Sequence, residues 1–193
     1  MNNVKKIVCI RHGTALHNVL YPQVGVEAYT KHLDTPLVQK GIDESNNLGK
    51  TWKERDETDL VIVSPSKRTL DTASNIFSGH SCKMIALDCV MEYPQGHDIC
   101  NKRKNKKYLE KLYDNIDFSH IETNEPAWKD TSEFLQELYD RVERFKEFVR
   151  VRPEKNIVLV SHSSFLKTLM GMEMGDETNE LNHCFPYIVK IDS

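Results

Sequence analysis

Two arginines, two histidines and a glutamate fall just after apolar runs in this chain, and together they have the chemistry to handle a phosphate. Arg11, His12 and Gly13 follow "VKKIVCI" (Val4–Ile10), and Arg68 lies in "SPSKRTLDTA" (Ser64–Ala73) after "LVIV" (Leu60–Val63). Glu92 lies in "MEYPQGHD" (Met91–Asp98) after the weaker run "MIALDCV" (Met84–Val90), and His162 in "SHSS" (Ser161–Ser164) after "IVLV" (Ile157–Val160). A guanidinium offers a planar fork of donors that matches phosphate oxygens. A neutral imidazole can attack phosphorus while a protonated one supports its oxygens; residue type alone leaves open which histidine takes which role. A protonated carboxyl such as Glu92 can hand its proton to the leaving oxygen, provided burial or a like-charged neighbour raises its pKa. Gly13 would let backbone approach the anion closely. The start of the helix after His162, Ser163 included, would add N–H donors and the positive end of a dipole.

Each of these groups must be carried to one place, and the apolar runs predict how. They are short and rich in β-branched residues, as strands buried on both faces are. "YIVKI" (Tyr187–Ile191) is a further, weaker strand candidate. Between them, Phe134, Leu138, Val142, Phe145 and Val149 recur every three or four residues, predicting a helix from about Thr131 to Arg150, capped by Thr131 or Ser132. Helices are also expected over 66–77, 165–171 and, more roughly, 40–55. Strands alternating with helices predict an α/β fold: a three-layer sandwich whose mostly parallel central sheet is flanked by helices. In such a sheet, ligands bind beyond the strands' carboxyl ends, where all five candidates fall.

A single domain spanning residues 1–193 is expected, with a polar, cap-like insertion at about 93–130. Its basic run "NKRKNKK" (Asn101–Lys107) reads as a solvated surface, or else as a source of one or two cations for an anionic substrate. Charged residues make up 28% and hydrophobic residues 39%, a globular balance, and the net charge of −3 argues against a nucleic-acid binder. No apolar run is long enough to span a membrane, and the first residues lack signal-peptide features. The five cysteines, Cys9, Cys82, Cys89, Cys100 and Cys184, form no CxxC pair, so a reducing, cytoplasmic setting is expected. His17, His32, His80, His97, His120 and His183 show no metal-ligand spacing, so no metal is expected.

The ordered set "RHGTALHN" (Arg11–Asn18), "LDTPLVQKG" (Leu33–Gly41), "VSPSKRTLDTA" (Val63–Ala73), "ME" (Met91–Glu92) and "VSHSSFL" (Val160–Leu166) resembles the histidine phosphatase superfamily, the phosphoglycerate mutase-like proteins. The likeness runs from about Val4 to Thr168. It implies that His12 is the nucleophile that becomes phosphohistidine. Arg11, Arg68 and His162 then complete the phosphate pocket, with Asn18 supporting it from the loop. Glu92 would be the proton donor and then the base for water, and no metal or organic cofactor is implied. "HDICNKR" (His97–Arg103) resembles the HPCDKR-type stretch of a phosphomutase-like subgroup, which would place His97, Asp98, Lys102 and Arg103 near the outer part of the substrate. A loop cluster that merely shapes the insertion explains these residues equally well.

Three positions depart from the pattern: Ala15 replaces a Ser or Thr, Val38 a helix-capping Thr or Ser, and Glu44 a frequent Gln. Thr35 is a substitute cap. The expected activity is a phosphomonoester hydrolase on a small phosphorylated metabolite. A phosphoglycerate mutase-type phosphotransferase and an inactive phosphate-binding scaffold are the alternatives. No nucleic-acid or membrane partner is expected, and the oligomeric state is not legible.

Overall fold

The computed structural model describes residues 4–174 and 179–192. Its elements run in the order β1 (Val4–Arg11), α1 (Leu16–Val24), α2 (Glu27–Thr30), α3 (Gln39–Thr51), β2 (Leu60–Val63), α4 (Lys67–Ile76), β3 (Lys83–Ala86), α5 (Lys106–Leu112), β4 (Ile116–Asp117), α6 (Leu135–Arg150), β5 (Asn156–Ser161), α7 (Ser163–Leu169) and β6 (Pro186–Asp192). The six strands form one sheet in the order β4-β3-β2-β5-β1-β6, parallel except for β6, which runs antiparallel to β1. This is the expected α/β architecture, with helices on both faces. No helix among the described residues is long and apolar enough to cross a membrane.

The strand runs are continuously apolar because both faces are covered. On one face Leu60, Ile62, Ile157 and Leu159 pack against Leu138, Val142 and Phe145 of α6 and Phe165 and Leu166 of α7. On the other, Val61, Val63, Val158 and Val160 pack against Leu70, Ala73 and Ile76 of α4. Strand register then aligns the carboxyl ends: Arg11 lies opposite Ser161, and Val63 opposite both Val160 and Ala86. Backbone bonds from His12 N–H to Ser161 O and from Ser64 N–H to Val160 O, each 3.0 Å, extend that alignment into the loops.

Several expectations shift in detail. Helix α6 starts at Leu135 rather than Thr131; its first turn is closed by Glu137, whose carboxylate accepts the Phe134 N–H at 2.9 Å. Phe134 is consequently 74% exposed, and Arg141 takes a place on the buried face beside Leu138 and Phe145. The 93–130 segment adds β4 to the sheet edge and buries Leu109, Tyr113, Ile116, Phe118 and Ile121 against the α4 side. Its basic run is solvated only in part: Lys107 is exposed and Lys102, Lys104 and Lys106 are half-buried. Arg103 is 2% exposed, its guanidinium paired with Asp88 and donating to the carbonyls of Lys104, Thr123 and Asn124. Val38 starts α3 without a side-chain cap, and the Thr35 hydroxyl is engaged with His17 (2.6 Å) instead.

Candidate active site

The aligned strand ends bring Arg11, His12, Arg68 and His162 into one buried group. His12 leaves β1 with its Nδ1–H donating to the carbonyl of Gly13 at 2.7 Å, which fixes the tautomer and leaves the lone pair on Nε2. Arg68, on the first turn of α4, donates Nε–H to that Nε2 at 3.3 Å. The same guanidinium donates to the Cys100 carbonyl (2.7 Å), the Asn101 Oδ1 (2.9 Å) and His162 Nδ1 (3.1 Å). Because arginine has only donors, His162 Nδ1 accepts; its Nε2–H then donates to Ser64 Oγ at 2.8 Å. Both imidazoles are therefore neutral. Burial, followed by the charge of Arg68, pushes both pKa values well below the ordinary histidine range. A protonated His162 on the phosphate oxygens, one of the roles open from residue types, is not the arrangement seen.

Helix α4 enters this group in a fixed orientation because a buried carboxylate caps it. Asp34 Oδ1 accepts the Lys67 N–H at 2.8 Å, and burial pushes the Asp34 pKa up to about 6. Arg11 is held by the Leu181 carbonyl (2.6 Å) and Glu180 (3.1 Å) through Nη1. Its buried Nε finds no acceptor among the described residues. A buried donor left over beside a cavity is suited to an anionic oxygen.

That cavity, about 520 Å³, is lined by Arg11, Glu92 and, among others, His17, Asn18, Cys100 and Asn101. The buried His12 ring is not itself on the lining; it sits edge-on to His17, which is, with 5.8 Å between centroids. Glu92 is partly buried on the wall, and desolvation raises its carboxyl pKa despite the Tyr93 N–H it accepts at 2.8 Å. Its backbone is clamped from α6. Arg141 donates to the carbonyls of Met91 (2.7 Å) and Cys89 (2.9 Å) and forms a buried two-bond pair with Glu133 (2.6 and 2.8 Å). Glu133 in turn accepts the Gln95 N–H at 3.0 Å, so one ion pair braces the loop on both sides of Glu92.

The other expected binding residues divide. Asn18 lines the cavity, and its Oδ1 accepts the Ala15 N–H at 2.9 Å, shaping the loop after His12. Gly13 has a different reason from the one expected: a Cβ there would meet the Gly41 carbonyl oxygen at 2.5 Å, so the glycine serves close packing of the loop on α3. Ser163 is buried, its Oγ accepting the Leu181 N–H at 3.4 Å, and its neighbour Ser164 lines the cavity. His97 is exposed and bonded to Asp98 (3.0 Å). Asp98 lines the cavity, but Lys102 lies over the Trp128 ring and Arg103 is locked onto Asp88, so neither cation reaches the lining.

Sequence reasoning left His17, Glu44, Asn101 and His183 without roles at the site. His17 shares the first turn of α1 with Asn18, a relation visible only once "ALHN" is taken as a helix start. Asn101, the first residue of the basic run, bridges Arg68 to the Pro94 carbonyl (3.0 Å). Glu44 accepts both the Thr14 N–H (2.8 Å) and its hydroxyl (3.0 Å), tying the loop after His12 to α3. His183 Nδ1–H donates to the His12 carbonyl at 2.6 Å, closing the loop from the β6 side.

The chain is similar to several known proteins. A model of the histidine phosphatase superfamily (branch 1) matches residues 7–185. A phosphoglycerate mutase-like protein of Arabidopsis thaliana is 29% identical, the alignment covering 89% of this chain and 75% of that protein. Phosphoserine phosphatase 1 of Hydrogenobacter thermophilus is 28% identical over 88% of this chain and 76% of its own. Among solved structures, the alpha-ribazole phosphatase of Shigella flexneri superposes with a TM-score of 0.63 at 23% identity, covering 97% of this chain and 96% of that one.

Proposed function

The chain belongs to the histidine phosphatase superfamily, and from that premise we propose that it hydrolyses a phosphomonoester of a small metabolite through a phosphohistidine at His12. The observation that carries this reading is the state of the His12 ring: neutral, its proton committed to the Gly13 carbonyl and its Nε2 lone pair facing a guanidinium. A phosphoryl oxygen takes over the Arg68 Nε–H that Nε2 now accepts, and the unpaired Arg11 Nε–H binds a second oxygen. That exchange frees the nucleophile at the moment the phosphate arrives. As the Nε2–P bond forms and the P–O bond to the alcohol breaks, the Glu92 carboxyl gives its proton to the departing oxygen. In the second step ionised Glu92 takes a proton from water, whose oxygen attacks phosphorus and breaks the Nε2–P bond, returning the neutral ring and inorganic phosphate.

The steps use only side chains and water. Arg68 and Arg11 supply the charge that the spreading phosphoryl negative charge needs. His162 and Asn101 hold Arg68 in place between them. The test is to supply p-nitrophenyl phosphate and, separately, 3-phosphoglycerate with 2,3-bisphosphoglycerate. Phosphate release from the first with little isomerisation of the second is expected. Rapid isomerisation with little release would assign a mutase instead.

A further inference from the structure

Arg11 apart, the cavity presents rings and carboxylates rather than Lys or Arg side chains among the described residues. Tyr21 and Tyr29 both line it and stack nearly parallel, 5.0 Å between centroids and 19° between planes. Asp98 and Glu180 line it as well, and Arg11 is the one Lys or Arg side chain among the described residues of the lining. Arg11 (3.1 Å) and Lys167 (3.3 Å) offset part of the charge of Glu180, whereas Asp98 is paired, among the described residues, only with the exposed His97. The two cations that the "HDICNKR" stretch offers are spent elsewhere: Lys102 on Trp128 and Arg103 on Asp88. Once the phosphate has taken Arg11 and Arg68, a second anion on the substrate meets carboxylates and no further Lys or Arg among the described residues of the lining.

We propose that this cavity selects monophosphorylated alcohols whose organic part carries a planar ring or an amine and no second anionic group. The proposal rests on the phosphatase reading above and narrows it to a substrate class. A flat ring continues the Tyr21–Tyr29 stack in an offset or edge-on arrangement. An ammonium is attracted both by those ring faces and by Asp98. A carboxylate or second phosphate is repelled, so bisphosphorylated and phosphoglycerate-like esters are excluded by charge rather than by size.

Four alkyl esters separate these effects: 2-phenylethyl phosphate, phosphoethanolamine, ethyl phosphate and 3-phosphoglycerate. The wild-type kcat/KM for the first two should exceed that for 3-phosphoglycerate by about tenfold or more, a gap that narrows as salt screens the carboxylates. Asp98→Asn should shrink the gap at least about threefold by raising the 3-phosphoglycerate value, and Tyr29→Leu should lower the 2-phenylethyl value towards that of ethyl phosphate. Equal or better use of 3-phosphoglycerate by the wild type, or a gap indifferent to both substitutions, overturns the proposal. If no ester is turned over, the hydrolase reading fails, and the same ranking is then read as Kd by calorimetry on the wild-type protein. A ranking led by 3-phosphoglycerate there overturns the selectivity independently of catalysis.

Discussion

Glu92 must hold a proton at the start of the proposed cycle and lose it by the end, and its setting suits both states. Desolvation raises its pKa, while the Tyr93 N–H and the charges of Arg68 and Arg11 pull the other way and keep ionisation within reach. Activity should therefore fall as pH rises through a value above the ordinary carboxyl range, because the acid is lost. His12 stays neutral well below the usual histidine range, so the acid-side limb lies low. Glu92→Gln should cut kcat for an alkyl phosphate about 10²–10⁴-fold and cut it far less for p-nitrophenyl phosphate, whose leaving group needs no proton. Steady-state kinetics with the two esters check this, and equal losses would remove Glu92 from the role. The five principal residues were legible because each follows an apolar run. His17, Asn101 and Glu44 were not, since each acts through a neighbour reached only after folding.

At the level of elements, strand ends place the reactive groups, but α6 fixes the loop that carries Glu92. The Arg141–Glu133 pair is buried, with 8% and 6% side-chain exposure, and Arg141 also binds the carbonyls on either side of Val90. Breaking it with Arg141→Ala leaves a buried carboxylate uncompensated and should cost about 3–5 kcal/mol of stability. The double change Arg141→Met with Glu133→Leu removes both charges. Denaturant titration should show most of that stability restored, because an apolar pair of similar volume is often neutral. Activity on alkyl phosphates should stay low in the double variant, because the Cys89 and Met91 carbonyls have lost their donor; full recovery would make the pair purely structural. The apolar periodicity announced α6 but hid Arg141 on its buried face. Strands β1, β2 and β5 were read to within a residue of each end from their β-branched runs. The two-residue β4 and the Pro22-containing α1 lack such a signature: β4 is defined by its pairing with β3, and α1 by packing against α2.

Taken as a whole, the molecule concentrates buried imidazoles at one end of its sheet, and its stability should report them. His12, His17 and His162 are held well below the ordinary histidine pKa and His183 at about 4, so unfolding below pH 6.5 takes up protons at each. Asp34, pushed up to about 6, and Glu92, raised by desolvation, act in the opposite sense by releasing protons on unfolding. Four imidazoles set against two carboxyls leave a net uptake of protons on unfolding, so stability falls as pH drops from 6.5 towards 5. Thermal melts across that range should show the decline, and a flat profile would contradict the neutral imidazoles. The central claim, a covalent phosphoenzyme at His12, is tested most directly by rapid quench with a ³²P-labelled ester followed by base-stable, acid-labile trapping and peptide mapping. Label on the His12 peptide, absent from His12→Ala and present in His162→Ala, is the predicted result. Turnover with no acid-labile label, or label on His162, would contradict it.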